Sequence, residues 1–406
     1  MTSRAEFRNS PIGAIACTGY DQLRMNENKA LKIGIVGSGV RGQEYARAFG
    51  HIEGARVVAA AASSRAAVDL QRAFSGLTIE RDAGALIRQG NVDAVVLADP
   101  VVDLPAVIRR ALLADKHVMA TISSPVTCVQ LNELGSLATR RHRMLTFTEE
   151  RAFHPALIFL KWMLSGRSGL WQPRYVRAVS APGADGGGGA SIGALMLEEL
   201  ALCSRILGET PKATSAMVCR VESEAVPAAA FVNLIYSDGR IASLQASTTE
   251  AQECRQWTLA TPSKTLLLDE CDPRSPVKII SLDSGAAPGS LLRVNPPIPL
   301  AEWPTESTVT PPLHSTDTKA DQCRHFVGGA LEGDLSQNNA DFWADVALVW
   351  EAVQESMRLE GMPVSVHAAV RDKKAVGERP KLRLIRGKGM GATDTHKRPA
   401  LTLVPR

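Results

Sequence analysis

Residues 33–42 read Ile-Gly-Ile-Val-Gly-Ser-Gly-Val-Arg-Gly, a glycine-rich turn set where an apolar run ends and a helical pattern begins. Gly37 allows a tight turn, Gly39 lets the backbone approach a diphosphate with no Cβ in the way, and Gly42 permits close packing of helix on strand. The amides around Ser38, Val40 and Arg41 then stand at a helix N-terminus, where free N–H groups attract phosphate. This stretch predicts a dinucleotide-binding turn.

Its surroundings agree. Working outward, strands are predicted at Lys32–Val36, Arg56–Ala61, near Thr78, at Asp93–Leu97, His117–Ala120 and Met144–Thr148. Helical patterns at Arg41–Phe49, Arg65–Phe74, Ala83–Gln89, Leu104–Ala114 and Val126–Arg140 fall between them. Strict β-α alternation predicts an α/β fold with a doubly wound parallel sheet. The pattern changes after Thr148. Helices are predicted at Pro155–Leu164, Leu195–Leu207 and Asn339–Arg358, with strands at Arg174–Val179, Ala213–Val221, Ala230–Tyr236 and Arg240–Ser247. Ser237-Asp238-Gly239 is a hairpin signal between the last two, and Trp257–Leu259 and Thr265–Leu268 could extend the sheet. The expected organisation is an N-terminal extension at 1–30, a dinucleotide-binding domain at 31–150, an α+β domain with a mostly antiparallel open sheet at 151–370, and a basic tail at 371–406. Seven prolines between Leu282 and Thr318 predict a long loop or arm there.

Composition narrows the function classes. The chain has 406 residues, 45% hydrophobic and 22% charged, which excludes wholesale disorder. No apolar run approaches the roughly 20 residues of a membrane span. Eleven basic and three acidic residues in Arg371–Arg406 contribute +8 to a net charge of +4, leaving −4 for the rest and no basic groove for nucleic acid. The seven cysteines are scattered, without zinc spacing, and read as reduced thiols. With no apolar leader pattern at the N-terminus, a cytoplasmic protein without a metal is expected.

The end of the second strand bears on the cofactor. An acidic residue there would bond the ribose hydroxyl of NAD; this chain has Ser63, Ser64 and Arg65 instead, which suit the extra phosphate of NADP. NADP(H) is therefore favoured over NAD(H). Arg151 and His154 stand at the start of the second domain as candidate substrate-binding residues, where Arg151 could pair with an anionic substrate or the cofactor or, alternatively, the two make an interdomain contact or a helix cap.

Several segments together resemble the glucose-fructose oxidoreductase, inositol dehydrogenase and MocA (Gfo/Idh/MocA) family over most of residues 31–366. Beyond the glycine turn, VDAVVLADP with Asp99 and Pro100 resembles the family's fourth-strand end, and ALLADKHVMATISSPVT resembles the stretch ending in its Glu-Lys-Pro signature. RAFHPALIFLKWMLSGRSG, FVNLIYSDGRIASLQAS and VWEAVQESMRLEGMPVSV resemble later landmarks. The resemblance implies a Rossmann domain, a nicotinamide cofactor that contacts Asp99, Pro100 and Ser123, a sugar-like or cyclitol-like small-molecule substrate, and a homodimer or homotetramer. It also implies a Lys near the nicotinamide and an Asp and His on a helix of the second domain.

The chain departs from the family at each of these catalytic positions. Ser123 and Ser124 precede Pro125 where Glu and Lys are expected. Counting back from Leu207-Gly208, the family His falls on Glu198 and the Asp on Ala194. Hydride transfer from a carbinol needs an acceptor for the hydroxyl proton. Glu198, with Ser124, is the candidate for that role; Glu199 offers a second carboxylate pointing about 100° away on the same helix. The alternative expectation is a catalytically silent NADP(H)-binding protein, a sensor or partner subunit.

Overall fold

Apart from exposed Lys32, Leu31–Val36 (β1) is apolar on both faces because it lies inside a sheet covered on both sides, and Ile33 and Ile35 are fully buried. The computed structural model describes residues 30–37, 39–62, 70–72, 74, 76–122, 126–164, 173–183, 191–220, 227–262, 264–281, 308–313 and 315–366. After β1 come α1 (Val40–Gly50), β2 (Ala55–Ala61), β3 (Thr78–Glu80), α2 (Ala83–Ile87), β4 (Ala94–Leu97), α3 (Leu104–Leu113), β5 (His117–Ala120), α4 (Cys128–Arg140) and β6 (Leu145–Phe147). The six strands form one parallel sheet in the order β3-β2-β1-β4-β5-β6. The order reverses between β1 and β4, so the crevice at their carboxyl ends is the switch point where this architecture binds ligands.

A 3-10 turn, Glu150–Phe153, leads into α5 (Pro155–Leu164). The second layer then follows as β7 (Tyr175–Pro182), α6 (Ile192–Leu207), β8 (Ala213–Arg220), β9 (Pro227–Ile235), β10 (Ile241–Ser247), β11 (Glu253–Ala260), β12 (Lys264–Asp269), β13 (Val277–Ser281), β14 (Thr308–Val309), α7 (Thr318–Glu332), α8 (Ala340–Arg358) and β15 (Val364–Ser365). Its nine-stranded sheet runs β14-β13-β12-β11-β7-β10-β9-β8-β15. Among the described residues only β7 and β10 pair in parallel, and the other contacts are antiparallel.

The proline-rich stretch read as a loop contributes β14 at Thr308–Val309, and β13, α7 and β15 were not anticipated. α7 starts at an Asp317 side chain that accepts from the Ala320 amide, and it ends at Gly333 in the left-handed region. That cap places Lys319 in its first turn.

α6 begins with Ser191, whose side chain accepts from the Ala194 amide, and stops at left-handed Gly208. The edge strand β6 is held by side chains in place of a seventh strand. Asn338 accepts from the Leu145 amide at 2.9 Å, and Asn339 accepts from Phe147 N at 2.7 Å while donating to Phe147 O. The segment that follows, Thr148–Arg151, is thereby fixed over the second domain. Among the described residues no helix is long and apolar enough to cross a membrane.

Candidate active site

The glycine turn has the backbone its sequence requires. Gly37 sits at φ +138, a region closed to other residues, and a Cβ on Gly42 would lie 2.4 Å from the Gly37 carbonyl oxygen. α1 opens at Gly39 with no side-chain cap and no acidic residue in its first turn, so the amides beyond Gly39 keep their capacity to bind an anion. Asp99, from the end of β4, accepts from the Gly39 amide at 2.7 Å, and its carboxylate lies 3.0 Å from where a Gly39 Cβ would be. Asp99 therefore holds the turn in shape. Val40 and Arg41 are exposed on the crevice side, and Arg41 has no ion-pair partner among the described residues. The helix start after Gly39, uncapped by any side chain, offers the amides of Val40 and Arg41, and these fit a dinucleotide diphosphate. Pro100 follows Asp99 at the mouth of the crevice. Ser38, Ser63, Ser64, Arg65, Ser123 and Ser124 lie outside the described residues, and with them the reading of the 2′-phosphate and of the altered Glu-Lys-Pro signature.

Next to the turn is a cavity of about 310 Å³ whose lining includes Arg41, Glu44 and Tyr45 of α1, Thr121 after β5 and Thr148–Ala152 after β6. The second domain adds Glu198, Ala201, Leu202 and Arg205 of α6, Arg255 of β11 and Lys319 of α7. The four α6 residues are spaced i, i+3, i+4, i+7, which puts them on one helix face. Glu198 is the site residue that sequence placed here, and its side chain is 47% exposed. Burial raises its carboxyl above the usual range; Arg151, Arg255 and Arg41 oppose the rise, and Glu199 adds to it.

Arg151 proves not to be a free receptor for an anion. Its Nη1 donates to Glu199 Oε1 at 2.6 Å, while Nε and Nη2 make a two-pronged bond to Glu270 at 3.0 and 2.6 Å. Glu198 is 3.9 Å away. Burial works against the guanidinium charge, but Glu199 and Glu270 outweigh it and hold its proton more firmly than usual. Glu199 is 0% exposed, so of the two adjacent acids it is the structural one and Glu198 the one that faces the cavity. His154 is likewise engaged: its Nδ1 accepts from the Ala156 amide at 3.3 Å at the start of α5. Burial lowers its basicity, keeping it neutral. Arg151 is thus engaged by two carboxylates while it lines the cavity, and His154 by the Ala156 amide.

Several cavity residues escaped sequence reasoning. Lys319 pairs with Glu44 and lies 3.7 Å from Glu150, and Tyr45 donates to Glu150 at 2.7 Å. Arg205 donates to Glu149 at 3.1 and 2.7 Å while stacking 3.8 Å over the Phe342 ring. The one signal in the sequence was the run Glu149-Glu150-Arg151 directly after a predicted strand end. A second, larger cavity of about 690 Å³ shares Glu149, Ala152, Leu202 and Arg205 with the first but is walled mainly by apolar residues such as Phe147, Trp162, Ile206 and Phe326. It includes no residue of the glycine turn or α1, so the smaller cavity is the candidate site.

Residues 31–149 match the family model described as "Oxidoreductase family, NAD-binding Rossmann fold", Gfo/Idh/MocA. Among solved structures, UDP-N-acetylglucosamine 3-dehydrogenase from Acidithiobacillus ferrooxidans is similar at 17% identity and TM-score 0.66, over 81% of this chain and 98% of that one. Scyllo-inositol dehydrogenase from Lactobacillus casei is 16% identical with TM-score 0.66, over 84% and 100%. Biliverdin reductase from Synechocystis sp. PCC 6803, solved with biliverdin and NADP+, is 15% identical with TM-score 0.64, over 81% and 99%. No curated protein matches the chain in a sequence search.

Proposed function

We propose that this protein, whose residues 31–149 match the Gfo/Idh/MocA oxidoreductase family model, catalyses NAD(P)-dependent hydride transfer to or from a sugar-like or cyclitol-like substrate. The observation that carries the reading is the adjacency of a diphosphate cradle and a cavity that presents a carboxylate. The amides of Val40 and Arg41 would hold the diphosphate, in a turn whose shape Gly37 and Gly39 allow. Once bound, the nicotinamide supplies the hydride acceptor, so that a carbinol is oxidised to a carbonyl while NAD(P)+ is reduced.

Glu198 takes the hydroxyl proton. Its raised affinity for a proton makes it a better base near neutral pH than an ordinary carboxylate. Arg151 acts through it as a positioning residue, with Glu199 and Glu270 fixing the guanidinium beside it. We favour NADP(H) as the cofactor on the strength of Ser63, Ser64 and Arg65. The silent reading stands on the exchange of the family Lys for Ser124 and of its His for Glu198.

The test is fluorescence titration with NADPH and NADH, followed by absorbance at 340 nm across a polyol and cyclitol screen. Tight NADPH binding with turnover supports the proposal. Tight binding with none supports the silent reading. Absence of binding to either nucleotide sinks both.

A further inference from the structure

The charges lining the candidate cavity do not cancel evenly. Arg205 is taken by Glu149, Lys319 by Glu44 and Glu150, and Arg151 by Glu199 and Glu270. Two cations remain. Arg41 stands in the first turn of α1 beside the diphosphate cradle and, in the reading above, belongs to the dinucleotide. Arg255 stands on β11, in the other sheet, and has no such claim on it. Its Nε lies 3.1 Å from Glu253 Oε1 without hydrogen-bond geometry, and Glu253 is itself 54% exposed. Among the described residues the two terminal nitrogens of Arg255 have no partner.

A guanidinium with its outer edge free is a fork matched to a carboxylate or phosphate. A neutral polyol would leave that fork bound to water. Arg255 is close enough to Glu198 for its charge to act on the carboxylate, so one small molecule could meet both residues. A cavity of about 310 Å³ is at the small end of the range for small-molecule sites, which suits a single-ring or short-chain compound.

We propose that the substrate is an acid, a polyol bearing a carboxylate or phosphate that Arg255 binds through its free edge, with the reacting hydroxyl directed to Glu198. This rests on the oxidoreductase reading and names its substrate class. Arg255 is then the specificity-determining residue, and the anionic group takes no part in the redox change.

The test is calorimetric titration of the full chain with D-gluconate and with D-glucose 6-phosphate, each against D-glucose, with and without saturating NADPH. The gluconate arm reads a carboxylate and the other arm a phosphate. At least one acid should bind tenfold or more tightly than D-glucose. Arg255→Gln should erase that preference, and Arg255→Lys should keep part of it because the charge survives without the fork. Unchanged NADPH affinity and thermal midpoint in both variants show that the fold and cradle are intact. Equal affinity for acid and neutral sugar, an undiminished preference in Arg255→Gln, or no binding by either acid overturns the proposal. A failure of NADPH to bind is read separately: it removes the dinucleotide, while the acid-against-neutral comparison is still decided on the protein alone.

Discussion

The glycine turn takes its shape from consecutive residues, Ile33 to Gly42, whereas the cavity beside it collects side chains from Arg41 as far as Trp343. In the turn, backbone sterics decide: Gly37 needs its positive φ and Gly42 its missing Cβ. In the cavity, electrostatics decide. A buried cation such as Arg151 is tolerable only because two carboxylates from α6 and the β12–β13 connection arrive beside it. A sterically coded site should fail locally and sharply, and an electrostatically coded one should fail through the partners left behind.

The largest expected effect tests the second half of that contrast. Arg151→Met strands Glu199 and Glu270, both almost completely buried, without a counter-charge. Removing one partner of such a network costs about 4 kcal/mol of stability, to be read by urea unfolding. A second substitution, Glu199→Gln, should recover part of the loss in the Arg151→Met background, because it removes one orphaned charge. No recovery would mean that packing, and not charge, dominates there.

Next in size is Gly42→Ala. The added methyl would meet the Gly37 carbonyl, and backbone on both sides leaves nothing free to rotate away. Overpacking of this kind costs about 3 kcal/mol. Dinucleotide binding should be lost even at temperatures where the variant stays folded, as checked by circular dichroism alongside NADPH titration. Binding retained at wild-type strength would show that the turn is not the cradle.

The same contrast explains what could be read in advance. Turn, strand alternation and the face of α6 that carries Glu198 follow from local periodicity, and these elements appear close to where the sequence put them. α7 was hidden because its stripe is diluted by Gly328-Gly329 and a polar first turn. Gly329 has a tertiary purpose. A Cβ on Gly329 would lie 2.8 Å from Met144 Sδ and 2.6 Å from Gln337 Oε1, so its absence lets α7 lie close to the parallel sheet. Losing α7 from the reading meant losing Lys319. The engagement of Arg151 was equally out of reach, since Glu270 lies far along the chain and no periodicity links the two.

Glu198→Gln separates chemistry from architecture within the cavity. The amide keeps the shape and cannot take a proton, so turnover in the oxidising direction should fall about a hundredfold with NADPH affinity unchanged. The pH profile gives the sign. Glu198 must be ionised to act as base, so the wild-type rate should fall as pH drops through its raised pKa, on a limb placed above the ordinary carboxylate range. Glu198→Gln should lack that limb in its residual rate. An identical limb in the variant would assign the titration to a group other than Glu198.

The smallest effect lies where the two regions meet. Asp99 organises the glycine turn by accepting from the Gly39 amide, yet the same carboxylate puts a negative charge beside a cradle that has to hold phosphates. Asp99→Asn keeps an acceptor for the amide and removes the charge. If geometry is the dominant contribution of Asp99, the amide should preserve it, and relief of repulsion should tighten NADPH binding about threefold at low salt, fading as ionic strength rises. Weaker binding in the variant would mean that the charge-assisted bond to Gly39 matters more than the repulsion. The turn, for all its local coding, would then depend on electrostatics as much as the cavity does.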